Sequence, residues 1–312
     1  MARAADVPEW GFRRADGLMP GVAGAVVGYD ARGHDRAIHR GLPSPHLTLV
    51  LTLDEPVVTG WSVEEASGPS ATRVDVVAAG LHTQPAYVWQ PPRQSGIQIA
   101  VHPTAARAVF GVPAAELCQR TFEGSDVAGP GLGRLRDMLI ESPGWTGRFA
   151  LVRGFLQDQV ERAADRPPVR AEVAEAWRWL VRRRGTGRIS SLADHVLLSP
   201  RQLHAVFTAE LGVGPKRFNR LLRLQRAKEL IGGRVARGTD VDLADVAAWC
   251  GYADQAHLTR DFGSLVGTSP ARWLAEEHGT LAAEGYTGDH ATERTPPKPS
   301  IPAGDPRGTV VP

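Results

Sequence analysis

One phrase of the sequence occurs twice in the same register, and it constrains the fold more than any other feature. The phrase is Leu-x3-Phe followed by Gly-x-x-Pro; it runs from Leu203 to Pro215 and again from Leu258 to Pro270, 55 positions later. Leu and Phe four positions apart lie on one face of a helix, and a following Gly and Pro end that helix and begin another. The repeat therefore predicts two copies of one helical unit.

Capping residues divide each copy into two helices. In the first copy, Ser190 or Ser191 is expected to cap a short helix, and Ser199-Pro200 begins the helix with the repeated Leu and Phe. In the second copy, Asp254 caps the equivalent helix. The chain between them, Lys216 to Ile231, has apolar residues at helical spacing. We predict two helix-turn-helix units joined by a helix of roughly 16 residues and about 24 Å.

Four stretches of these units carry a family resemblance. They are Ser199-Pro-Arg-Gln-Leu-His-Ala-Val-Phe207, Gly212-Val-Gly-Pro215, Arg223-Leu-Gln-Arg-Ala-Lys-Glu-Leu-Ile231 and Val246-Ala-Ala-Trp-Cys-Gly-Tyr-Ala-Asp-Gln-Ala-His-Leu-Thr-Arg-Asp-Phe262 with Gly267-Thr-Ser-Pro270. Together they resemble the signature of the AraC/XylS family of transcription regulators, over a third of the chain. The resemblance implies a bacterial regulator that binds double-stranded DNA through residues 170–278.

Two residues of the first unit depart from the family pattern. Leu197 stands where family members usually have a turn glycine, and Gly214 replaces the serine that usually precedes the proline. Replacing a capping hydroxyl by glycine costs only a few tenths of a kcal/mol, about 0.3, so we expect this unit to fold. Its docking on DNA is less well defined by the sequence than that of the second unit.

The outward residues of the second helix in each unit are the candidates for reading bases. Arg201 and Arg260 suit guanine, and Gln202 and Gln255 suit adenine. Further candidates are His204, Ala205, Ala256 and Thr259, of which the last three suit a thymine methyl group. The alternative is that these residues form a solvated helix face.

A second set is expected at the phosphates, which position a protein without reading sequence. It comprises Arg188, Ser190, Thr208, Lys216, Arg217 and Asp254, with helix-start amides expected near Ser190 and Asp254. Arg223 is left with two interpretations, a DNA contact or an ion pair with an acid such as Asp194. Periodicity assigns the following residues to the core rather than to base stacking: Leu203, Phe207, Leu258, Phe262, Trp177, Trp249 and Trp273.

The N-terminal half is patterned as a sheet. Residues 20–101 are predicted to form strands, the clearest being His46 to Leu53, where Leu alternates with Thr and Val. The other predicted strands are Ala23 to Tyr29, Val74 to Leu81, Ala86 to Gln90 and Gly96 to Val101. From His102-Pro103 the spacing becomes helical, and these helices either pack on their own domain or form a dimer interface. AraC-like regulators carry a similar cupin-like domain, so the predicted class is α+β: a β-rich cupin-like domain with following helices, then an all-α domain.

Proline-rich segments mark the domain limits. The predicted divisions are an N-terminal extension (1–19), a sensor or dimerisation domain (20–165), a linker (166–169), the double helix-turn-helix domain (170–278) and a disordered tail (279–312). Net charge is uneven as well. Residues 168–280 carry 17 Lys and Arg against 12 Asp and Glu, whereas the flanking segments are slightly acidic. A basic C-terminal segment is typical of a DNA-binding part.

Pocket candidates in the N-terminal half are less specific. Arg40, beside His39, would suit an anionic effector, and the other candidates are Tyr29, His46, Tyr87 and Trp89. The alternative for the segment around Arg40 is a rigid surface loop. The histidines His34, His39, His46, His82 and His102 lack the His-x-His spacing of a metal-binding strand, so neither a metal nor another cofactor is expected.

The remaining features concern compartment, partners and rival functions. Cys118 and Cys250 cannot build a disulfide framework, and no signal or membrane segment is expected, so the predicted compartment is the cytoplasm. A DNA-repair methyltransferase is disfavoured because Cys118 lacks the Pro-Cys-His setting and the zinc-thiolate cluster, so no catalytic residue is assigned. Expected partners are DNA, RNA polymerase, a small-molecule effector and a second copy of the chain. The alternative is a ligand-independent regulator whose N-terminal domain only dimerises or contacts polymerase.

Overall fold

The computed structural model of the protein describes residues 9–15, 17–33 and 36–283. The strands in these ranges are β1 (Glu9–Arg14), β2 (Ala23–Arg32), β3 (Ala37–Gly41), β4 (Leu47–Thr52), β5 (Val57–Gly60), β6 (Thr72–Val74), β7 (Val76–Ala79), β8 (Ala86–Gln90), β9 (Arg93–Val101) and β10 (Thr121–Glu123). The helices of the N-terminal half are α1 (Val63–Ser67), α2 (Ala106–Val109), α3 (Ala114–Leu117), α4 (Gly124–Ala128), α5 (Gly131–Glu141) and α6 (Trp145–Arg162). Those of the C-terminal half are α7 (Ala171–Arg182), α8 (Ile189–His195), α9 (Pro200–Leu211), α10 (Pro215–Ala236), α11 (Leu243–Trp249), α12 (Gln255–Val266) and α13 (Pro270–Ala283).

The larger of two antiparallel sheets has the strand order β1-β2-β9-β4-β7-β10. Alternation in β4 decides how it packs: Leu47, Leu49 and Leu51 are fully buried, whereas Thr48 and Val50 lie on the opposite face. The buried face packs with apolar residues of the helices that follow the sheet. The other face, with Thr48 and Val50, borders a cavity.

The smaller sheet has the order β3-β8-β5-β6, and the chain passes between the two sheets at Asp75. The strand predicted for Val74 to Leu81 is therefore two strands in different sheets. The Asp75 carboxylate forms an ion pair with Arg136 at 3.0 Å, and the Asp75 N–H donates a hydrogen bond to the Glu123 carboxylate. The sequence does not reveal the change of sheet, because Val74 of β6 and Val76 of β7 are both apolar and lie on either side of the polar Asp75, as in a single strand.

The helices that follow the sheets pack on their own half of the protein. Buried residues of α5 are Leu132, Leu135 and Leu139, and those of α6 include Val152 and Leu156. The predicted apolar stripe is only partly covered, since Met138 keeps 48% of its surface exposed and Val160 keeps 37%. Self-packing thus accounts for most of this stripe.

The α+β class is confirmed, with a β-rich N-terminal half, following helices and an all-α C-terminal half containing two helix-turn-helix units. The sheet begins earlier than the predicted start at residue 20, because β1 pairs with β2 inside the predicted extension. Helix α13 extends to Ala283, past the predicted limit of 278. Residues 284–312 of the predicted tail, and His34, lie outside the described residues.

Local signals explain the start of each recognition helix, by which we mean α9 and α12. Ser199 caps α9 in a capping box with Gln202, and Asp254 caps α12 by accepting from the His257 N–H at 2.6 Å. The linking helix α10 has 22 residues, longer than predicted, and spans about 33 Å. Glycines with φ of +81° and +75°, Gly212 and Gly267, end the two recognition helices.

Two local predictions in this half are wrong. Helix α8 begins at Ile189, so Ser190 lies inside the helix, and the N-cap residue Arg188 makes no side-chain cap. A serine within the first turn competes with the true cap in any sequence-based assignment. Trp249, predicted as core, keeps 54% of its surface exposed because it lies at the outer end of α11. Trp273 is buried and Trp177 is half-buried.

Candidate nucleic-acid interface

The outward face of α9 holds four of the base-reading candidates. Arg201, Gln202, His204 and Ala205 are exposed, while Leu203 is fully buried and faces the core. The Arg201 guanidinium has no hydrogen bond or ion pair with any described residue. Its five donors are thus open to a guanine edge or a phosphate.

The Gln202 side chain has a structural role that its sequence position conceals. Its amide oxygen accepts from the Ser199 N–H at 3.0 Å and from the Ser199 hydroxyl at 2.8 Å. Bidentate recognition of adenine requires that oxygen and the amide N–H together. Gln202 therefore acts as a capping residue in this structure, and reading adenine would require the cap to open. Gln at the third position of a Ser-capped helix was the signal for this role.

His204 is exposed, but its ring lies over Gly214. A Cβ placed on Gly214 would be 2.5 Å from Cε1 and 2.6 Å from Nδ1 of the ring. The departure at position 214 is thus linked to the residue at 204, because a serine there would displace the ring. No local pattern could reveal this pairing, since the two residues belong to different helices.

The outward residues of α12 make fewer contacts with the rest of the protein than those of α9. Gln255, Ala256 and Arg260 are exposed, and Thr259 is half-buried. Gln255 and Arg260 make no hydrogen bond with other described residues, so both side chains are open to base edges.

A buried carboxylate fixes α12 to the linking helix. Asp261, 9% exposed, accepts from Arg220 Nε at 2.5 Å and lies 3.7 Å from Arg223 Nη2. Arg220 also donates to Ser264, and Arg223 stacks on the Tyr252 ring with its Cζ 5.0 Å from the centroid. The acid that pairs with Arg223 is therefore Asp261 and not Asp194. The sequence alone assigns no role to Asp261.

The phosphate candidates differ in what they can offer. Arg188, Lys216 and Arg217 are exposed, and the last two lie in the first turn of α10. Thr208 offers less, because its hydroxyl is enclosed and makes no hydrogen bond within the described residues. Ser190 is exposed on the second residue of α8. The Asp254 carboxylate already caps α12, so a phosphate there would have to bind backbone amides against a like charge.

A cavity of about 460 Å³ lies between the two sheets. Four of the predicted pocket residues line it: Tyr29, His39, Arg40 and His46. Tyr87 and Trp89 do not, because the lining residues of β8 are Ala86, Val88 and Gln90, which alternate with them. Burial raises the pKa of Tyr29, and the nearby Asp54 charge adds to this.

Three further lining residues come from the C-terminal half, and sequence reasoning missed them: Gln225 and Lys228 of α10 and Trp273 of α13. Burial lowers the pKa of the lining His82, a shift that the Gln84 carbonyl opposes and the Lys228 charge reinforces. Cations in the lining are Arg14, Arg40 and Lys228, and no acidic residue is among the described lining residues. The described lining residues thus include three cations and no acid, and one of these cations, Arg40, forms an ion pair with Glu276 at 2.9 Å.

The cysteines and potential metal ligands form no catalytic arrangement within the described ranges. Among those residues, no three His, Cys, Asp or Glu side chains come together as a metal site. The Cys118 thiol donates to the Leu81 carbonyl at 3.0 Å, and burial raises its pKa. Burial also raises the pKa of Cys250 to about 12. Both thiols are therefore poor nucleophiles at neutral pH.

Comparison with known protein families identifies the C-terminal part. A family model described as "Helix-turn-helix domain" matches residues 192–276, the segment that contains α8 to α13. Within this helix-turn-helix segment, α9 and α12 are the second helices of the two units, as the repeat predicts.

Curated relatives match the same region. The "Probable transcriptional regulator LumQ" of Photobacterium leiognathi is 31% identical over 85 residues, which cover 27% of this chain and 32% of that protein. The "Arabinose operon regulatory protein" of Escherichia coli K12 is 28% identical over 152 residues, 47% of this chain and 48% of the relative. The match thus spans about a third to a half of the length of these relatives, and both names describe regulatory proteins.

Among solved structures, the chain is similar to ToxT from Vibrio cholerae at 10% identity and a TM-score of 0.47, over 86% of this chain and 98% of that one. As for membrane segments, no helix within residues 9–283 that the structure describes has the length and apolar character needed to span a bilayer.

Proposed function

We propose that this chain is a bacterial sequence-specific transcription regulator in which α9 and α12 read successive major grooves of double-stranded DNA. The observation that carries the proposal is that α9 and α12 expose equivalent faces. The opposite face of each helix carries a buried Leu and a buried Phe at matching positions. The match to a helix-turn-helix family and the names of the relatives support it. The proposed functional parts are a sensor part, residues 9–165, and a DNA-binding part, residues 170–283, which share one hydrophobic core. The proposed location is the cytoplasm, because the proposed partner is chromosomal DNA.

The linking helix supports simultaneous reading by both units. Helix α10 spans about 33 Å, and one turn of B-form DNA separates successive major grooves by about 34 Å. We propose that this continuous helix holds the two recognition helices one groove repeat apart on one DNA face. Partners beyond DNA, such as RNA polymerase or a second copy, remain expectations from the family resemblance.

Among the base-reading candidates, Arg201, Gln255 and Arg260 are favoured. Their side chains are exposed and have no partner among the described residues, whereas Gln202 caps a helix and His204 covers Gly214. Lys216 and Arg217 are the favoured phosphate contacts, because both are exposed cations in the first turn of α10.

Selection of binding sites from random DNA with the full-length protein tests this proposal. We expect an enriched motif of two half-elements about one helical turn apart. Arg260→Ala should weaken binding by about 1 to 3 kcal/mol and relax one base position, whereas Lys216→Ala should weaken all sites alike and lower the salt slope by about 1. Enrichment of no motif, or an unchanged motif and affinity for Arg260→Ala, would overturn it.

We also propose that a small anionic effector binds in the cavity between the sheets. Its volume falls within the range of small-molecule sites, roughly 300 to 1,000 Å³. The lining combines apolar strand residues with Arg14, Arg40 and Lys228 and includes no acid among the described residues. A half-buried cation such as Lys228 favours a ligand of opposite charge, so a carboxylate or phosphate on an apolar body fits this lining.

Thermal unfolding of the full chain with paired probes tests the effector. The pairs are aliphatic and aromatic carboxylates and their neutral amides at matched concentrations. Binding to the folded state raises Tm, and we expect a rise with carboxylates that Lys228→Met abolishes and Lys216→Met does not. Equal rises with the amides would reject the anionic class. Flat curves for both series would support the ligand-independent alternative.

A further inference from the structure

The two helix-turn-helix units are attached to the N-terminal half in different ways. The hydrophobic core of the sheet region continues without a break into the first unit, through Val173 and Leu180 of α7 to Leu203 and Phe207 of α9. The prolines at 167 and 168 interrupt the helix but not this core. By packing, the first unit is therefore an extension of the N-terminal half.

Polar contacts reinforce the attachment at the end of α9. Arg107 forms a bidentate ion pair with Glu210, whose side chain is only 9% exposed. Next to it, the Cys118 thiol lies 3.5 Å from the Gly212 carbonyl, and a Cβ on Gly212 would be 2.5 Å from that of Cys118. Such close approach of two chain segments leaves no room for the first unit to shift without breaking the interface.

The second unit has a core of its own. Among the described residues, the buried members of that cluster all lie between Leu221 and Trp273, and from the N-terminal half Leu42 packs against it partly buried. Among the described residues, an ion pair between Arg40 and Glu276, at 2.9 Å and with side chains 21% and 36% exposed, joins the second unit to the N-terminal half. Ion pairs that are accessible to solvent contribute little to stability, so this contact is weak. We call it the Arg40–Glu276 latch.

The cavity touches the second unit directly. Trp273 of α13 lines it, and the same ring packs against Phe262 of α12, with centroids 5.6 Å apart. Phe262 is fully buried beneath the outward face that holds Arg260. None of the lining residues belongs to α8 or α9. A change in the cavity thus reaches the second recognition helix through the contact between the Trp273 and Phe262 rings, whereas Gln225 and Lys228 connect the cavity to α10, the helix that both units share.

We infer that the protein is controlled through one of its two units: the first recognition helix is fixed to the N-terminal half, and the contents of the cavity set the position of the second through Trp273 and the Arg40–Glu276 latch. The inference rests on the proposed function for its consequence on DNA. A ligand that favours one placement of α13 would shift the placement of α12, because a bistable element responds to any differential contact.

Hydrogen exchange followed by mass spectrometry on the full-length protein without DNA tests the asymmetry. We expect α9 amides to exchange as slowly as those of β4 and β9, and α11 to α13 amides to exchange faster. Arg40→Gln should speed exchange in α11 to α13 by about two- to fivefold and leave α9 unchanged. Arg272→Gln is the matched control, since Arg272 contacts the same Glu276 at 2.8 Å within α13 but not the N-terminal half.

Three outcomes would overturn the inference: equal exchange rates for α9 and α12 in the wild type, parallel increases in both units for Arg40→Gln, or the same increase for Arg272→Gln. The consequence on DNA is a second measurement. In footprints of the selected site, Arg40→Gln and Trp273→Leu should weaken protection only over the half-element bound by α12. Absence of any selected site would reject the proposed function and leave the exchange result standing, so the two failures are distinguishable.

Discussion

The Arg107 guanidinium donates two hydrogen bonds to the Glu210 carboxylate, from Nε to Oε1 at 2.8 Å and from Nη2 to Oε2 at 2.9 Å. The pair joins a helix of the sheet region to the last turn of the first recognition helix. The hydrogen bond to Glu210 is the main cause that raises the pKa of Arg107, against the effect of burial, and the charges of Glu210 and Glu116 add to it. Two distant parts of the chain are thereby held in one geometry.

Loss of the Arg107–Glu210 pair should destabilise the protein, because it leaves a buried carboxylate without its partner. Arg107→Met leaves the Glu210 carboxylate, 9% exposed, without its partner, and we expect the free energy of unfolding to fall by about 1 to 3 kcal/mol. Urea titration of the full chain measures it. The control Arg178→Met breaks an exposed pair with Glu175 and should cost less than about 1 kcal/mol. Equal losses for the two variants would contradict the structural role.

Replacement of Leu197 by glycine should stabilise the protein. Its φ is +57° and its side chain is 90% exposed, so the backbone is strained and little packing is lost. Leu197→Gly should raise the free energy of unfolding by about 1 kcal/mol, after the entropy cost of glycine is set against the relieved strain. Leu197→Ala keeps the Cβ and should give no such gain. A stabilisation by alanine as large as that by glycine would show that removal of an exposed Leu, and not backbone relief, is responsible.

His204 and Gly214 should show coupled energetics. A serine at 214 would cap α10 but push the His204 ring away, so we expect Gly214→Ser to give no net stabilisation alone. In a His204→Ala background the same change should stabilise by a few tenths of a kcal/mol, about 0.3. A double-mutant cycle by thermal unfolding measures the coupling. Additive single effects would mean that the ring moves aside without cost.

Asp261 should matter for DNA binding although it faces away from the exposed surface. Asp261→Asn removes the charge that pairs Arg220 and Arg223 with α12, and we expect it to weaken specific binding while leaving Arg260 in place. Stability should fall by about 1 to 3 kcal/mol, because two cations lose a buried partner. Asp245→Asn, which breaks a pair whose acid is 59% exposed, is the control. Undiminished affinity for Asp261→Asn would exclude a positioning role.

Acid should loosen the contact between α7 and α8. Hydrogen bonds from His195, Arg182 and Arg178 lower the pKa of Glu175 to about 2. Since the unfolded pKa is about 4.3, the stabilisation is present above that value and is lost as pH falls from about 4.5 towards 2. The Tm difference between wild type and Glu175→Gln should shrink over that interval. A difference that stays constant down to acid pH would contradict it. The loss should be small because the carboxylate is 31% exposed.

Local sequence signals predicted the C-terminal units well and the N-terminal sheet in part. Ser199 and Asp254 cap the recognition helices as expected, because a cap acts on amides two or three residues away. The prediction of a cap at Ser190 or Ser191 was wrong because both serines lie in the first turn of α8, which begins at Ile189. The β6–β7 segment failed for a different reason: a strand that changes sheet at Asp75 keeps its apolar alternation.

Tertiary contacts decided the rest of the candidate site. Tyr87 and Trp89 belong to the face of β8 away from the cavity, and which face a strand turns inward depends on the opposite sheet. Lys228 and Trp273 line that cavity although they belong to the C-terminal half. No periodicity within α10 or α13 distinguishes a cavity-lining residue from a partly exposed one.

The sequence by itself determines that two helix-turn-helix units exist and which faces they present, because helix caps, turns and the Leu and Phe spacing act over a few residues. The tertiary structure alone decides how those units are held. Residues distant in the chain, such as Arg107 with Glu210 and Arg40 with Glu276, meet only after the sheets and helices have packed. The same packing joins the core of the first unit to the sheet region and leaves the second unit with a core of its own, because burial depends on three-dimensional neighbours and not on order along the chain.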